Sequence, residues 1–180
     1  MAGFFKVLAA AVCLFLPQIA EAARDRIALV IGMADYKFLP PLQNTHNDAS
    51  GMAQTLTGIG FDVTLSLDAT AVQMTELLDD FAFRSEVADL ALVYFAGHGI
   101  EVQGENFLIP IDANVSSNRD VQRQSASLKQ LLAAVDRARK MRIVILDSCR
   151  DNPLGDAIAL ETSAAAQASS EETRGGGGGM

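Results

Sequence analysis

Positive charge is scarce in this chain: 14 Lys and Arg stand against 22 Asp and Glu, for a formal net charge of −8. That balance argues against nucleic acid and anionic membrane as partners and leaves basic or neutral substrates open. Histidine and cysteine are scarcer still, at two residues each. His46, His98 and Cys149 are far apart and lack the short spacings of a metal site, so no metal is expected from them. The glycine run Gly175 to Gly179 has no strand before it and no Lys-Ser/Thr after it, which excludes a phosphate loop. There is no internal repeat. What remains is ordinary globular material: 180 residues, 49% apolar and 20% charged, enough to bury the core of one domain.

The first 22 residues read as a signal peptide. Lys6 gives a basic start, Val7 to Leu16 is an apolar run too short to span a bilayer comfortably, and Pro17 breaks it. Ala20-Glu21-Ala22 then fits a small-x-small cleavage site. The expectation is export to the periplasm or the medium, with no stable membrane insertion after cleavage; an uncleaved anchor is the alternative. Cys13 leaves with this segment, so the mature chain holds Cys149 alone and can form no internal disulfide. A free thiol in an exported protein points to use, against the alternative of a buried, inert cysteine.

Downstream, residues 23–154 read as one α/β domain. Arg26 to Met33 is an apolar first strand, and Asp35 to Leu42 is a loop marked by Pro40-Pro41. Asn47 or Asp48 caps a helix through Leu56. Phe61 to Leu67 alternates apolar and polar, as a half-buried strand near an edge does. Thr70 and Gln73 form a capping box for a helix with Val72, Leu77, Leu78 and Phe81 inward, ending near Ser85. Leu90 to Ala96 is a third buried strand. Ile100 to Gln103 and Asn106 to Ile109 flank Gly104-Glu105 as a hairpin, and Asp112 to Ser125 is loop. Ser127 caps a helix with Leu128, Leu131, Leu132 and Val135 on one face. Arg142 to Leu146 then reads as a strand buried on both faces, the kind found in the middle of a parallel sheet, although four strands make a thin sheet and place this one near an edge. Strands alternating with helices imply right-handed crossovers and helices on both faces. Residues 155–180, rich in Ala, Ser and Gly, read as tail or linker.

Two of these strands end in reactive residues. Leu90 to Ala96 runs into Gly97-His98-Gly99, and Arg142 to Leu146 into Asp147-Ser148-Cys149-Arg150. In open α/β sheets the carboxyl edge is where chemistry is done. A thiol near pKa ~8.5 is activated by an adjacent imidazole, and Cys149 with His98 would make a nucleophile and base for acyl transfer. The N–H groups of Gly99 and Cys149 would supply an oxyanion hole. Each residue also has a plainer reading: His98 as a turn residue, His46 as loop, Asp147 paired with Arg150, Asp48 as a helix cap.

Tyr94-Phe95-Ala96-Gly97-His98-Gly99 and Asp147-Ser148-Cys149-Arg150 resemble the His and Cys motifs of the caspase-like cysteine peptidases, in particular bacterial members allied to metacaspases. Arg26 to Gly32 and Asn47-Asp48-Ala49 resemble that family's first strand and first helix, and the likeness runs from about Arg26 to Pro153. It implies a three-layer sandwich with a mostly parallel central sheet, Cys149 as nucleophile, His98 as general base and acid, and Gly99 and Cys149 as oxyanion donors. Asp48 and Asp147 match acidic residues of the metacaspase specificity pocket, which implies cleavage after Arg or Lys. True caspases, which cut after Asp, place an Arg there, and none stands beside the first helix. Two departures are visible. Ala96 replaces a frequent Ser, and the small-subunit strands that follow the Cys segment in this family are missing, so a small-subunit segment is an expected partner beside the peptide or protein substrate. No cofactor is expected; for calcium there are only Asp112 and Asp156, against the six or more oxygens it needs.

The leading hypothesis is thus a cysteine endopeptidase cutting after Arg or Lys. A caspase-like interaction module without activity is the second, separated by whether Cys149→Ala abolishes a hydrolysis. A flavodoxin-like or receiver-like domain using Asp147 as acceptor is the third, and phosphorylation or flavin binding would mark it.

Overall fold

The computed structural model describes residues 26–148. The leading segment, Cys149, Arg150, Asp156 and the tail lie outside the described residues. The strands β1 (Arg26–Gly32), β2 (Asp62–Leu67), β3 (Leu90–Ala96) and β7 (Met141–Asp147) form one parallel sheet in the order β2-β1-β3-β7. The first connection runs outward from β1 to β2. The next returns past β1 to β3, so the switch point lies between β1 and β3.

Composition explains this order. The two near-continuous apolar strands, β1 and β3, take the centre and are buried along almost their whole length, whereas alternating β2 takes an edge. Helix α1 (Thr45–Gly58) covers one face of the sheet. There Ala49, Ala53 and Leu56 meet Ala28, Val30, Leu92 and Tyr94. Gly32 permits the close approach: a Cβ on it would lie 2.7 Å from Ala49 Cβ and 2.9 Å from the Thr45 carbonyl. Helices α2 (Ala71–Ser85) and α4 (Leu128–Val135) cover the other face, where Met74, Phe81 and Leu131 pack with Leu29, Ile31, Val93 and Phe95 in the larger core. Each such fully buried side chain stabilises the fold by about 1.5–3 kcal/mol. The result is three layers, α on β on α, with a mostly parallel central sheet.

A second, three-stranded sheet sits beyond β3. The hairpin of β4 (Gly99–Val102) and β5 (Glu105–Leu108) pairs with β6 (Ala126–Ser127) in the order β4-β5-β6. Its turn is Gln103-Gly104, one residue earlier than expected. Both residues have positive φ (53° and 80°), as a turn matched to the strand twist demands. The capping box expected of Thr70 with Gln73 is present on α2, and the expected Ser127 cap on α4 proves to be a second box, closed by Gln130.

Several expectations are corrected. The segment Asp112 to Ser125 is not all loop: Ser117 caps helix α3 (Asn118–Gln124), whose polar sequence hides the single buried apolar residue Val121. Helix α1 starts at Thr45, ahead of Asn47 and Asp48. Val72 points outward in the first turn of α2, and Leu132 is half exposed on α4; the buried set on those helices is Met74, Leu78, Phe81 and Leu131, Ala134, Val135. The larger correction concerns β7. Four consecutive aliphatics imply burial on both faces, yet β7 pairs only with β3 among the described residues, and Ile145 and Leu146 are each 37% exposed. The pattern records that the strand wants cover without saying what supplies it. Just before β7 lies the chain's one dense basic run, and it is engaged internally: Arg137 with Glu86, Lys140 with Asp89, and Arg142 with Asp136.

Candidate active site

The carboxyl ends of β1 and β3 meet at the switch point, where an α/β sheet opens a crevice. The chain leaves β3 through Gly97, where any side chain would force its neighbours to shift. A Cβ there would lie 2.7 Å from both Phe95 Cζ and Tyr36 Oη. His98 follows and is buried, at 8% exposure. Its backbone is fixed on both sides, since its N–H donates to the Tyr36 hydroxyl oxygen (2.8 Å) and its carbonyl accepts from Ile109 N–H (3.1 Å).

The ring is fixed as well. Nε2 lies 2.8 Å from the Pro40 carbonyl, and the Tyr36 ring packs against it with centroids 4.6 Å apart. A carbonyl only accepts, so Nε2 carries the proton. In the neutral ring Nδ1 is then the nitrogen with the lone pair. This is the tautomer a general base needs, selected by a backbone oxygen rather than a carboxylate. Burial pushes the Tyr36 phenol far above its ordinary range, with the charge of Asp68 adding to the rise, against the lowering effect of the His98 N–H. Tyr36 therefore stays a neutral hydroxyl at every working pH.

Tyr36 and Pro40 both belong to the loop that follows β1, and Asp68 anchors that loop. Asp68 Oδ1 accepts the N–H groups of Ala34 (2.8 Å) and Asp35 (3.1 Å), and Oδ2 lies 2.8 Å from His46 Nε2. Its own N–H donates to the Gly32 carbonyl, and its backbone is left-handed at φ 53°. Burial pushes the Asp68 carboxyl up, but the two backbone donors and His46 outweigh it and hold it below the ordinary range. His46, read as loop from sequence, sits instead in the first turn of α1 against this carboxylate.

Of the expected site residues, the structure brings most to one rim. Asp147 ends β7, and its Oδ2 accepts the Tyr94 hydroxyl proton at 2.9 Å. Burial is the main influence raising the Tyr94 phenol, followed by that bond and the charges of Asp147 and Asp48. Asp48, exposed in the first turn of α1, is thus within electrostatic reach of the same hydroxyl, so both acidic residues address the α1 face. Gly99 opens β4 and packs against Ser148; a Cβ on it would lie 3.2 Å from Ser148 Oγ. Cys149 lies outside the described residues, one position beyond Ser148. Asp112 Oδ1 accepts the Ala71 N–H at the start of α2 (2.8 Å), and among the described residues no three His, Cys, Asp or Glu gather as a metal site would require.

Sequence reasoning missed Tyr36, Pro40 and Asp68. Pro40-Pro41 was legible only as a loop, because the group that matters is a backbone carbonyl. Asp68, between an edge strand and a capping box, carried the one usable signal: Asp tolerates left-handed backbone and bonds nearby N–H groups.

The caspase-domain family model matches residues 25–176. Human mucosa-associated lymphoid tissue lymphoma translocation protein 1 is 29% identical over 140 residues, covering 77% of this chain and 17% of that protein. Cat caspase-1 is 28% identical over 146 residues, covering 79% of this chain and 35% of its own length. Cattle caspase-13 is 28% identical over 143 residues, with 74% and 35% covered. The chain thus spans about a third or less of the curated relatives it matches.

Proposed function

The chain belongs to the caspase-domain family of cysteine peptidases, and on that premise we propose that it is an exported endopeptidase that cuts after Arg or Lys through a Cys149–His98 pair. His98 Nδ1 takes the thiol proton, and the thiolate attacks the substrate carbonyl carbon. The N–H groups of Gly99 and Cys149 stabilise the oxyanion. As the tetrahedral adduct collapses, His98 returns the proton to the leaving amine, and a thioester remains on Cys149. His98 then deprotonates water, which attacks the thioester and releases the acid. Throughout, the Pro40 carbonyl keeps Nε2–H engaged and orients the imidazolium. Asp48 and Asp147 offer negative charge to a basic side chain on the α1 face.

The observation that carries this reading is the fixed His98, whose ring and backbone are both held at the end of a strand in register with β7. Ala96 pairs with Asp147, so His98 and Cys149 each stand two residues beyond a paired position on neighbouring strands. The test is hydrolysis of a fluorogenic peptide with Arg before the cut, under reducing conditions. Cys149→Ala should reduce it to background. Asp147→Asn should lower the preference for Arg over an uncharged residue by roughly 10- to 100-fold, the worth of a hydrogen bond to a charged group. Measurable hydrolysis at equal rates in wild type and Cys149→Ala would remove the reading.

The outer edge of β7, unpaired among the described residues, favours a second reading, an interaction module in which further strands, such as a small-subunit segment, pair beside β7. Silence of both proteins with peptide, together with activity on adding such a segment, would join the two readings.

A further inference from the structure

A cavity of about 210 Å³ opens between the β4–β5 hairpin, the start of α4 and the end of β7. Leu108, Leu128 and Leu146 form its apolar wall, the exposed Glu101 and Asn106 line its polar side, and Gly99 and Ser148 bound it next to the reacting residues. None of the steps above uses it. Its position relative to the sheet indicates what it would take.

Side chains alternate along a strand. Asp147 turns to the α1 face with Tyr94, so Leu146 and Ser148 on either side turn to the opposite face, where the cavity lies. His98 is held toward that same side, because its partner Tyr36 packs in the core shared with α2 and α4. The leaving nitrogen must lie at His98, which protonates it. An extended substrate crossing the carboxyl edge of the sheet therefore sends its acyl-side residue toward Asp48 and Asp147. Its leaving-side residues pass over Gly99 into the cavity.

We propose that this cavity is a leaving-group subsite that takes a leucine-sized aliphatic side chain carried one or two residues beyond the cut. The proposal rests on the peptidase reading for its direction. A space of about 210 Å³ with one wall of three leucines is large enough to receive an isobutyl group against that wall. An acidic side chain there would meet the like charge of Glu101.

Two measurements on the full chain test it. Quenched peptides with Arg before the cut and Leu, Gly or Asp after it should be hydrolysed with Leu preferred over Gly by about tenfold or more, and Leu128→Trp should bring that ratio toward one. Separately, the Cys149→Ala variant is titrated with Leu-Gly-amide, which has the chemistry of the amine product, and followed by amide NMR. Shifts at Gly99, Leu108, Leu128 and Leu146 that vanish when Leu128→Trp is added support the subsite. Such shifts without any hydrolysis by the wild type, even with a small-subunit segment supplied, uphold the cavity and remove the peptidase reading. Hydrolysis without a Leu preference, or a spectrum unmoved by the peptide, overturns the subsite while leaving that reading as it stands.

Discussion

His98 is held by a chain of contacts that begins at Asp68. Asp68 holds the loop, the loop carries Tyr36 and Pro40, and these two hold the imidazole at its backbone and at Nε2. A series at Asp68 separates the parts of this arrangement. Asn keeps an acceptor for the Ala34 and Asp35 N–H groups and tolerates the left-handed backbone, so Asp68→Asn loses chiefly the contact with His46 and should cost about 1 kcal/mol. Asp68→Ala leaves two loop N–H groups without their acceptor and should cost about 2–4 kcal/mol in urea unfolding. The pH dependence has a definite sign. The folded Asp68 carboxyl is held low, so its contribution is fully present above the unfolded value of about 3.9 and is lost as pH falls through the lower folded value. The stability gap between wild type and Asp68→Asn should therefore close in acid. The Nε2 proton of His98, which donates to the Pro40 carbonyl, should keep its NMR resonance in Asp68→Asn and lose intensity in Asp68→Ala. If Asp68→Ala left that proton resonance unchanged, Asp68 would have no part in positioning His98.

At the scale of elements, the sheet order assigns different costs to similar substitutions. Leu29 in central β1 is fully buried, and Leu65 in edge β2 is 43% exposed. Leu29→Ala should cost about 2–5 kcal/mol and Leu65→Ala about 1 kcal/mol or less, compared by chemical denaturation. Comparable losses at the two would contradict the order β2-β1-β3-β7. Strand position was largely legible in advance, because an uninterrupted apolar run and a strict alternation differ in how many faces they bury. The Thr70–Gln73 capping box was legible for the same kind of reason, since its partners are three residues apart. What stayed hidden depends on distant partners. The cover over β7 is not written in Ile143 to Leu146, helix α3 has too few apolar residues to show a stripe, and the partner of His98 is a main-chain oxygen 58 residues away. Of the candidate site, His98, Gly99, Asp48 and Asp147 were singled out by motifs, whereas the shell that holds His98 could not be read from them.

The whole molecule places its charge asymmetrically with respect to the proposed reaction. The chain has a net charge of −8, its basic run at Arg137 to Arg142 is engaged with Glu86, Asp89 and Asp136, and the rim on the α1 face carries Asp48 and Asp147. A cationic peptide approaching that rim is attracted both by the local carboxylates and by the field of the whole chain. Only the second is long-ranged, and salt removes it first, because the screening length falls from about 30 Å at 0.01 M to about 8 Å at 0.15 M. For a peptide with Arg before the cut and no other charge, kcat/KM should fall several-fold across that range through KM, with kcat little changed. A matched peptide with an uncharged residue before the cut should show no such fall. Equal salt dependence of the two would mean that the acidic rim takes no part in recognition, and the assignment of Asp48 and Asp147 to a basic side chain would then have to be abandoned even if Cys149 proved to be the nucleophile.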